Sequence, residues 1–411
     1  MTRTDYDALV VGAGPAGLTT ALALAVSGLR TAIAGPPFAP DPSRPDTRTT
    51  ALLRASVALL TNIGVWELCR PEAAALNIIR IIDDTGRLVR APEVAFDSEE
   101  IGGQPFGFNI PNTALVAALY ARADTLPGLD VIETKAATKI EPEDDAVTVT
   151  LAEGRNISAK LVAGADGRKS LCREAAGLST TSWSYPQVAL ACNFEHADPH
   201  NNASNEFHRP AGPFTTVPLP GNASSLVWVE TAPEAERLAA LSSEDLAAEI
   251  EERSYGCLGP VTSVGPRATF PLSGMRVRSF AARRIALVGE AAHVIPPIGA
   301  QGLNLGFRDA AILAECAQAG NKDTGDAGSG AALRDYDRAR RADVDSRTLA
   351  VDLLNRSLIS GFVPFQVARG IGLHLLANLP PLRRLVMREG ISPQFGLPRL
   401  MKQAVSPAYE I

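Results

Sequence analysis

Three short stretches of this sequence combine residue types and spacings that could do chemistry. Gly12-Ala13-Gly14-Pro15-Ala16-Gly17 is a GxGxxG pattern. Its first glycine permits a tight turn, its second lets backbone approach a pyrophosphate, and its third lets a helix pack closely on a strand. Asp166-Gly167-Arg168 and Gly289-Glu290-Ala291-Ala292-His293 each place a carboxylate just past an apolar run. Carboxyl ends of strands are where open α/β sheets bind ligands. Behind the last of these, Pro296-Pro297-Ile298-Gly299-Ala300-Gln301-Gly302-Leu303-Asn304 is a proline- and glycine-rich loop running into a helical pattern. Its glycines leave backbone N–H groups open, and a helix amino terminus adds partial positive charge for an anion.

The flanking elements give these motifs their context. Ala8–Val11 reads as a strand, Leu18–Val26 as a helix stopped near Gly28, and Thr31–Ala34 as the next strand. A β-α-β unit of this length favours dinucleotide binding over a tight βα turn alone. One position departs from the pattern. The second strand ends in Ala34-Gly35-Pro36-Pro37, without the acid that ordinarily holds an adenosine ribose. Leu161–Gly164 and Arg284–Val288 read as buried strands, with helices over Ser170–Ala176 and from about Gly302 to Ala317.

From Gln187 to about Phe280 the pattern shifts to alternating strands, including Val188–Phe194, Thr215–Pro218 and Ser225–Val229, with a helix near Ser243–Tyr255. This predicts an antiparallel sheet roofing the site. Ile78–Pro92 reads as a hairpin of the same sheet turning at Asp84-Thr85-Gly86. His196, His200 and His208 fall in a polar stretch, Glu195–Arg209, that reads as an exposed loop. Gly320–Gly330 reads as a flexible connector before a charged helix from about Ala331. The fold class is α/β, with residues 1–77, 101–186 and 281–330 forming the dinucleotide domain. Residues 78–100 and 187–280 form the inserted sheet domain, and 331–411 a carboxyl-terminal helical region.

Bulk properties narrow the function classes. A hydrophobic fraction of 46% and a charged fraction of 20% describe an ordinary globular chain. A net charge of -6 argues against nucleic acid, whose binders gather basic surface. The five cysteines are scattered without a CxxC pair, so neither a zinc site nor a disulfide framework is expected, and no metal is assigned. No run is long and apolar enough to span a bilayer, which predicts a cytoplasmic protein.

The order GxGxxG, Asp-Gly, Gly-acid-Ala-Ala-His resembles that of the single-component flavoprotein aromatic hydroxylases, which are similar in fold to para-hydroxybenzoate hydroxylase. A narrower resemblance, to the hydroxylases that build the ubiquinone ring, lies in Asp46-Thr47-Arg48-Thr49-Thr50-Ala51-Leu52, Leu60–Trp66 and Gly299–Gly306. Gly212-Pro213, Val217-Pro218-Leu219 and Val227-Trp228 stand where that subfamily carries its substrate-domain strands. The resemblance implies a Rossmann-like FAD-binding domain of the glutathione-reductase type with FAD as cofactor. It assigns the pyrophosphate to Gly12, Gly14, Pro15, Ala16 and Gly17, with Asp166 nearby, and the ribityl chain to Gly289 and Glu290. The flavin ring falls to Gly299, Ala300, Gln301, Gly302, Leu303 and Asn304, with Pro297 and Gln301 nearest the chemistry. Arg48 and Asn112 are further cofactor contacts, although Arg48 reads equally as a solvated loop arginine. Glu290 replaces the usual Asp, Ala300 a common glycine, and Thr113 an arginine. His293 belongs to the cofactor motif as a structural hydrogen-bonding group.

The implied reaction inserts one oxygen atom from O2 into an aromatic ring through a flavin C4a-hydroperoxide, with NAD(P)H or another donor reducing the flavin. The implied substrate is a polyprenylated phenol or quinone precursor of ubiquinone. Two alternatives stand beside it: a hydroxylase of a small soluble aromatic acid, and a weakly catalytic flavin-binding subunit among other ubiquinone-biosynthesis proteins. Beyond Leu349 the chain is apolar, with Phe362, Phe365, Ile371, Leu373, Leu375 and Leu376 beside Arg369, Arg383, Arg384 and Arg388. The pattern favours a helical cap on the flavin domain. The resemblance favours peripheral contact with the cytoplasmic face of the inner membrane, arginines at the headgroups.

Overall fold

A computed structural model of the chain describes residues 4–39, 46–86, 91–297, 299–359, 363–388 and 396–402. Three of its strands explain why the chemistry-bearing stretches meet. Tyr6–Val11 lies between Thr31–Gly35 on one side and Asn156–Gly164 on the other, all parallel, and Ile285–Leu287 joins beyond Asn156–Gly164. Toward their carboxyl ends these strands carry unbroken apolar, buried runs, Ala8–Val11, Leu161–Gly164 and Ile285–Leu287, because both faces are covered there, as parallel sheets require. Leu9, Val10, Leu161, Val162, Ile285 and Ala286 are all fully buried.

The helix Pro15–Val26 covers one face and packs against the helix Gln301–Thr324. It starts at Pro15, three residues before the apolar pattern suggested, because a proline at the first helical position loses no hydrogen bond. The helix from Gln301 continues through Gly320 to Thr324, so the connector is shorter than Gly320–Gly330. Gly320 is buried there, against Ala332 of the following helix.

A second sheet of eight strands forms the roof, in the order 293–294, 261–277, 180–196, 223–231, 213–219, 203–208, 78–83, 94–97. One face is closed by the helices Ala232–Ala240 and Ser243–Arg253, whose Leu238, Leu246 and Ile250 pack on Leu190, Phe194, Phe214 and Trp228. Alternation sends Ala189, Val227 and Val229 to the opposite face, where they cluster with Leu272. The first of those helices was not foreseen; it is only nine residues long, and it buries just Ala235 and Leu238.

Two expectations about this sheet are corrected. The hairpin pairs Ile78–Asp83 with Val94–Asp97, so the return strand lies beyond Pro92, and residues 87–90 fall outside the described set. Glu195–Arg209 is no exposed loop: His196 ends a long strand, Ala203–His208 is another, and both histidines are 2% exposed. Their polar atoms are used inside the sheet. His196 Nδ1 meets the Asp198 carbonyl at 2.8 Å and its Nε2 meets Ser224 Oγ at 3.0 Å, while His208 Nε2 meets Glu206 Oε1 at 2.7 Å.

The carboxyl-terminal region is helical over Gly330–Ile359, Val363–Asn378 and Pro380–Val386. Leu373 and Met387 pack on Val94, Phe96 and Phe106, so this part caps the hairpin of the roof sheet. Phe362 lies outside the described residues, as do the side chains of Phe365 and Arg369.

Candidate functional site

The pairing registers bring the three motifs together. Val11 pairs with Gly164, and Gly164 with Leu287, so Gly12, Ala165 and Val288 leave three adjacent strands at one level. Ala165 N–H donates to the Val11 carbonyl at 2.8 Å and Val288 N–H to the Gly164 carbonyl at 2.9 Å. A Cβ on Gly12 would run into the Ala165 carbonyl, and one on Gly17 into the Gly12 carbonyl. A Cβ on Gly14 would meet nothing within 4 Å, so this glycine faces open space at the helix amino terminus. That open backbone is the cradle a pyrophosphate fits. The missing ribose acid also has a local cause: a Cβ at Gly35 would lie 2.7 Å from Ala13 Cβ and from its backbone nitrogen.

Asp166 organises the second motif. Its carboxylate accepts from Ser170 Oγ at 2.6 Å and from the Cys172 N–H at 3.0 Å, holding the start of the helix Leu171–Ala175. Arg168 then reaches across to the third motif, donating from Nε and Nη2 to the two Glu290 oxygens, each at 3.2 Å. Its Nη1 donates to Ser273 Oγ on the roof at 3.3 Å. The pair is about half exposed, so it contributes little to stability and lies at the cleft surface. Gly289 carries φ 59° and packs 3.4 Å from the position of a Gly306 Cβ, so the helix from Gln301 crosses closely behind the motif.

The loop between that motif and that helix is pinned by two amide side chains. Asn304 makes four hydrogen bonds: Nδ2 donates to Ala51 and Ala300 carbonyls at 2.8 and 2.6 Å, and Oδ1 accepts from Leu53 N–H and Ser56 Oγ at 2.9 and 2.6 Å. Its side chain is a staple between the loop and the strand Thr49–Leu53. Gln301 donates from Nε2 to the Gly299 carbonyl at 3.0 Å and accepts at Oε1 from Arg347 at 3.0 Å. Both side chains are therefore spent on holding the loop and helix start in place. Ala300 caps the helix in the left-handed region at φ 53°, costly for a non-glycine residue. Pro296 is buried and Pro297 exposed at the loop edge.

Arg48 pairs with Asp46 through Nε at 2.7 Å and sits 5.7 Å from the centre of the Phe270 ring on the roof. Asn112 accepts from Thr50 Oγ1 at 2.6 Å. Arg48, Glu290, Arg168, Phe270 and Gly14 are all exposed, and the contacts of Arg48 with Phe270 and of Arg168 with Ser273 bridge from the motif loops to the roof strand Val261–Val277 across an open trough.

Behind the trough lies a charge cluster that sequence reasoning missed. Asp309, fully buried, accepts from Gly289 N–H at 2.8 Å and His293 Nε2 at 2.7 Å on one oxygen, and from Arg340 Nε at 2.5 Å on the other. Arg340 also donates to Asp343 at 2.6 Å, and Asp343 accepts from Arg347 at 2.9 Å. Burial pushes the Asp309 and Asp343 carboxyls up, but the surrounding cations outweigh it: Asp309 lies below its ordinary range and Asp343 is pulled down to about 2. The signal was the spacing of Arg340, Asp343 and Arg347 three and four apart on one helix face. His293 is confirmed as a structural hydrogen-bonding group. Among the described residues no cluster of His, Cys, Asp and Glu could hold a metal ion.

Residues 5–348 match the family described as FAD binding domain. The chain belongs to this family. FAD is accordingly its cofactor, and the open Gly14 cradle beside a cleft carboxylate fits that group. Among similar proteins, the ubiquinone hydroxylase UbiL of Rhodospirillum rubrum is 35% identical over 96% of this chain and 92% of its own length. The 3-demethoxyubiquinol 3-hydroxylase of Escherichia coli is 31% identical over 95% of this chain and 100% of its own. Among solved structures, p-nitrophenol 4-monooxygenase PnpA of Pseudomonas putida superposes with a TM-score of 0.76 at 21% identity, covering 96% of this chain and 100% of that one. That likeness supports the α/β fold with its roof sheet.

Proposed function

We propose that the protein is an FAD-dependent monooxygenase hydroxylating the ring of a polyprenylated ubiquinone precursor. The observation carrying this reading is the similarity, along nearly the whole chain, to two proteins named as hydroxylases of ubiquinone or its precursor. When bound, reduced FAD supplies the activation of O2 from which one oxygen atom enters the ring. NAD(P)H or another donor is the source of electrons.

The chain's own residues have distinct tasks in this reading. Gly12, Gly14 and Gly17, with the first turn of the helix at Pro15 and Ala16, hold the pyrophosphate through backbone N–H groups. Glu290, beside Gly289, accepts from the ribityl hydroxyls, with the two Arg168 hydrogen bonds aiming the carboxylate. Asp166 acts by holding the turn that carries Arg168, and Arg48 and Asn112 border the same trough. The N–H groups of Gly299, Ala300, Gln301, Gly302 and Leu303 face the flavin ring and oppose the negative charge it gains on reduction. Pro297 borders the reacting face, and Asn304 holds the loop in place. The apolar roof face around Ala189, Val227, Val229 and Leu272 suits a ring bearing a hydrophobic tail.

Peripheral membrane contact belongs to the same reading. Leu349, Leu353, Ile371, Leu375, Leu379 and Leu385 are exposed on the carboxyl-terminal helices, with Arg384 and Arg388 exposed beside the last of them. Apolar side chains flanked by arginines fit an anionic lipid surface. No helix among the described residues is long and apolar enough to cross a membrane. Flotation with anionic vesicles, lost with Leu375→Asp/Leu385→Asp, tests it; a protein that stays at the bottom of the gradient counts against it.

The deciding experiment deletes the gene and identifies the accumulating precursor by mass spectrometry, which names the substrate and the ring position. Unchanged quinone content would sink the reading. Oxidation of NAD(P)H stimulated by small aromatic acids alone would favour the soluble-substrate alternative. Full quinone production by a Glu290→Ala protein would favour a flavin-binding assembly subunit.

A further inference from the structure

The strongest unassigned feature is the link between the long helix Gly330–Ile359 and the loop Gly299–Gly302. We propose that Arg347 is a positioning residue that orients this loop through the Gln301 side chain, an inference resting on the reading that the loop faces the flavin ring.

A guanidinium can only donate hydrogen bonds. Arg347 Nη1, 3.0 Å from Gln301, therefore forces the amide to present Oε1 to it, and leaves Nε2 to donate to the Gly299 carbonyl at 3.0 Å. Without a donor-only neighbour the amide can turn over and set its oxygen against the Gly299 carbonyl, where two acceptors repel. A trans peptide points its C=O and N–H in opposite directions. Holding the Gly299 carbonyl toward Gln301 thus turns the Ala300 N–H the other way. Asn304 does the same for the next peptide by holding the Ala300 carbonyl, so the Gln301 N–H also points away from the helix. Gly299 and Ala300 both have left-handed φ, 66° and 53°, so this geometry needs such restraint.

Arg347 is itself fixed. Its Nε donates to Asp343, which accepts from Arg340, which donates to Asp309, which holds the Gly289 N–H. Loop and ribityl motif are thereby two ends of one chain of charge-assisted bonds. Asp343 keeps Arg340 at 2.6 Å and Arg308 at 3.5 Å when Arg347 is replaced, so no buried carboxylate is stranded by the substitution.

The test uses the FAD-loaded protein and three variants, Arg347→Met, Arg347→Lys and Gln301→Glu. The readouts are the midpoint potential of bound FAD, the dissociation constant of oxidised FAD and the thermal midpoint. Arg347→Met is expected to lower affinity for reduced relative to oxidised flavin about tenfold, a fall of about 30 mV for a two-electron couple. Arg347→Lys, still a pure donor, stays within about twofold of the unaltered protein. Gln301→Glu accepts from Arg347 but cannot donate to Gly299, and matches Arg347→Met. An unchanged potential in Arg347→Met beside a shifted one in Gln301→Glu overturns the role of Arg347 and leaves the loop reading standing. Unchanged potentials in both overturn the loop reading itself. A lower thermal midpoint without a change in potential marks Arg347 as merely structural and also refutes the proposal. If Arg347→Met does not fold, Arg347→Gln decides, since its amide can accept as well as donate: a shift supports the proposal and its absence refutes it.

Discussion

Replacing Asp309 by Asn changes one atom in the most buried part of the charge cluster. The carboxylate satisfies three donors, Gly289 N–H, His293 Nε2 and Arg340 Nε, and both it and Arg340 have side chains that are 0% exposed. An amide offers one acceptor oxygen. Turned toward Arg340 it leaves the Gly289 N–H facing an NH2 group; turned the other way it sets that NH2 against Arg340. A buried donor without a partner costs about 1–3 kcal/mol. Removing one partner of a buried ion pair costs about 3–5 kcal/mol, here moderated because Arg340 keeps Asp343. We expect Asp309→Asn to lower the unfolding free energy by about 3 kcal/mol near neutral pH, read by urea denaturation at fixed FAD concentration. Acid supplies a second reading. Burial acts to raise the Asp309 carboxyl, yet Arg340 and His293 hold it below its ordinary 3.8. A depressed folded-state value gives stability that is present above the unfolded value and lost as pH falls through the folded one. The gap between the unaltered protein and the variant should therefore narrow as pH drops below about 4. A variant within about 1 kcal/mol of the unaltered protein at neutral pH, or a gap independent of acid, would refute this account of the cluster.

Other outcomes follow from the same geometry. Gly12→Ala drives a methyl group into the Ala165 carbonyl from a φ of +108° and should weaken FAD binding by about a hundredfold or more, measured by flavin fluorescence. Asp343, held at about 2, contributes about 2.5 kcal/mol that is lost as pH falls from about 4 through about 2; Asp343→Asn should remove that acid-dependent segment of the stability curve. Glu290→Ala should weaken FAD binding more than Arg168→Met, because the first removes an acceptor for the cofactor and the second only its aim; the reverse order in a binding titration would count against Glu290 as the ribityl partner.

The β-α-β unit, the two later strand ends and most roof strands were legible because each rests on local pattern: apolar runs for parallel strands, alternation for the antiparallel pairs, glycine where backbone must pass backbone. The expected all-antiparallel roof is corrected at one pair, where Ala203–His208 runs parallel to Ile78–Asp83, since which strand a hairpin docks beside is set by tertiary packing. Gly12 and Gly17 are glycines for the reasons their spacing suggested, both being pressed against a carbonyl oxygen. The polar stretch around His196 and His208 misled, since pairing with neighbouring strands buries polar side chains that bond within the sheet. Local composition does not register such pairing.

What the chain's order of residues determined by itself is the identity of the groups available at three strand ends, through the periodicity and turn chemistry of each segment. Only the tertiary structure decided what each group is free to do. Asp166 is engaged in a helix cap, Asn304 and Gln301 are consumed as staples, and Glu290 is left at the cleft beside Arg168. Hydrogen-bond valence is used up by partners far away along the chain, such as Arg347 for Gln301, and no local pattern records which partners those are.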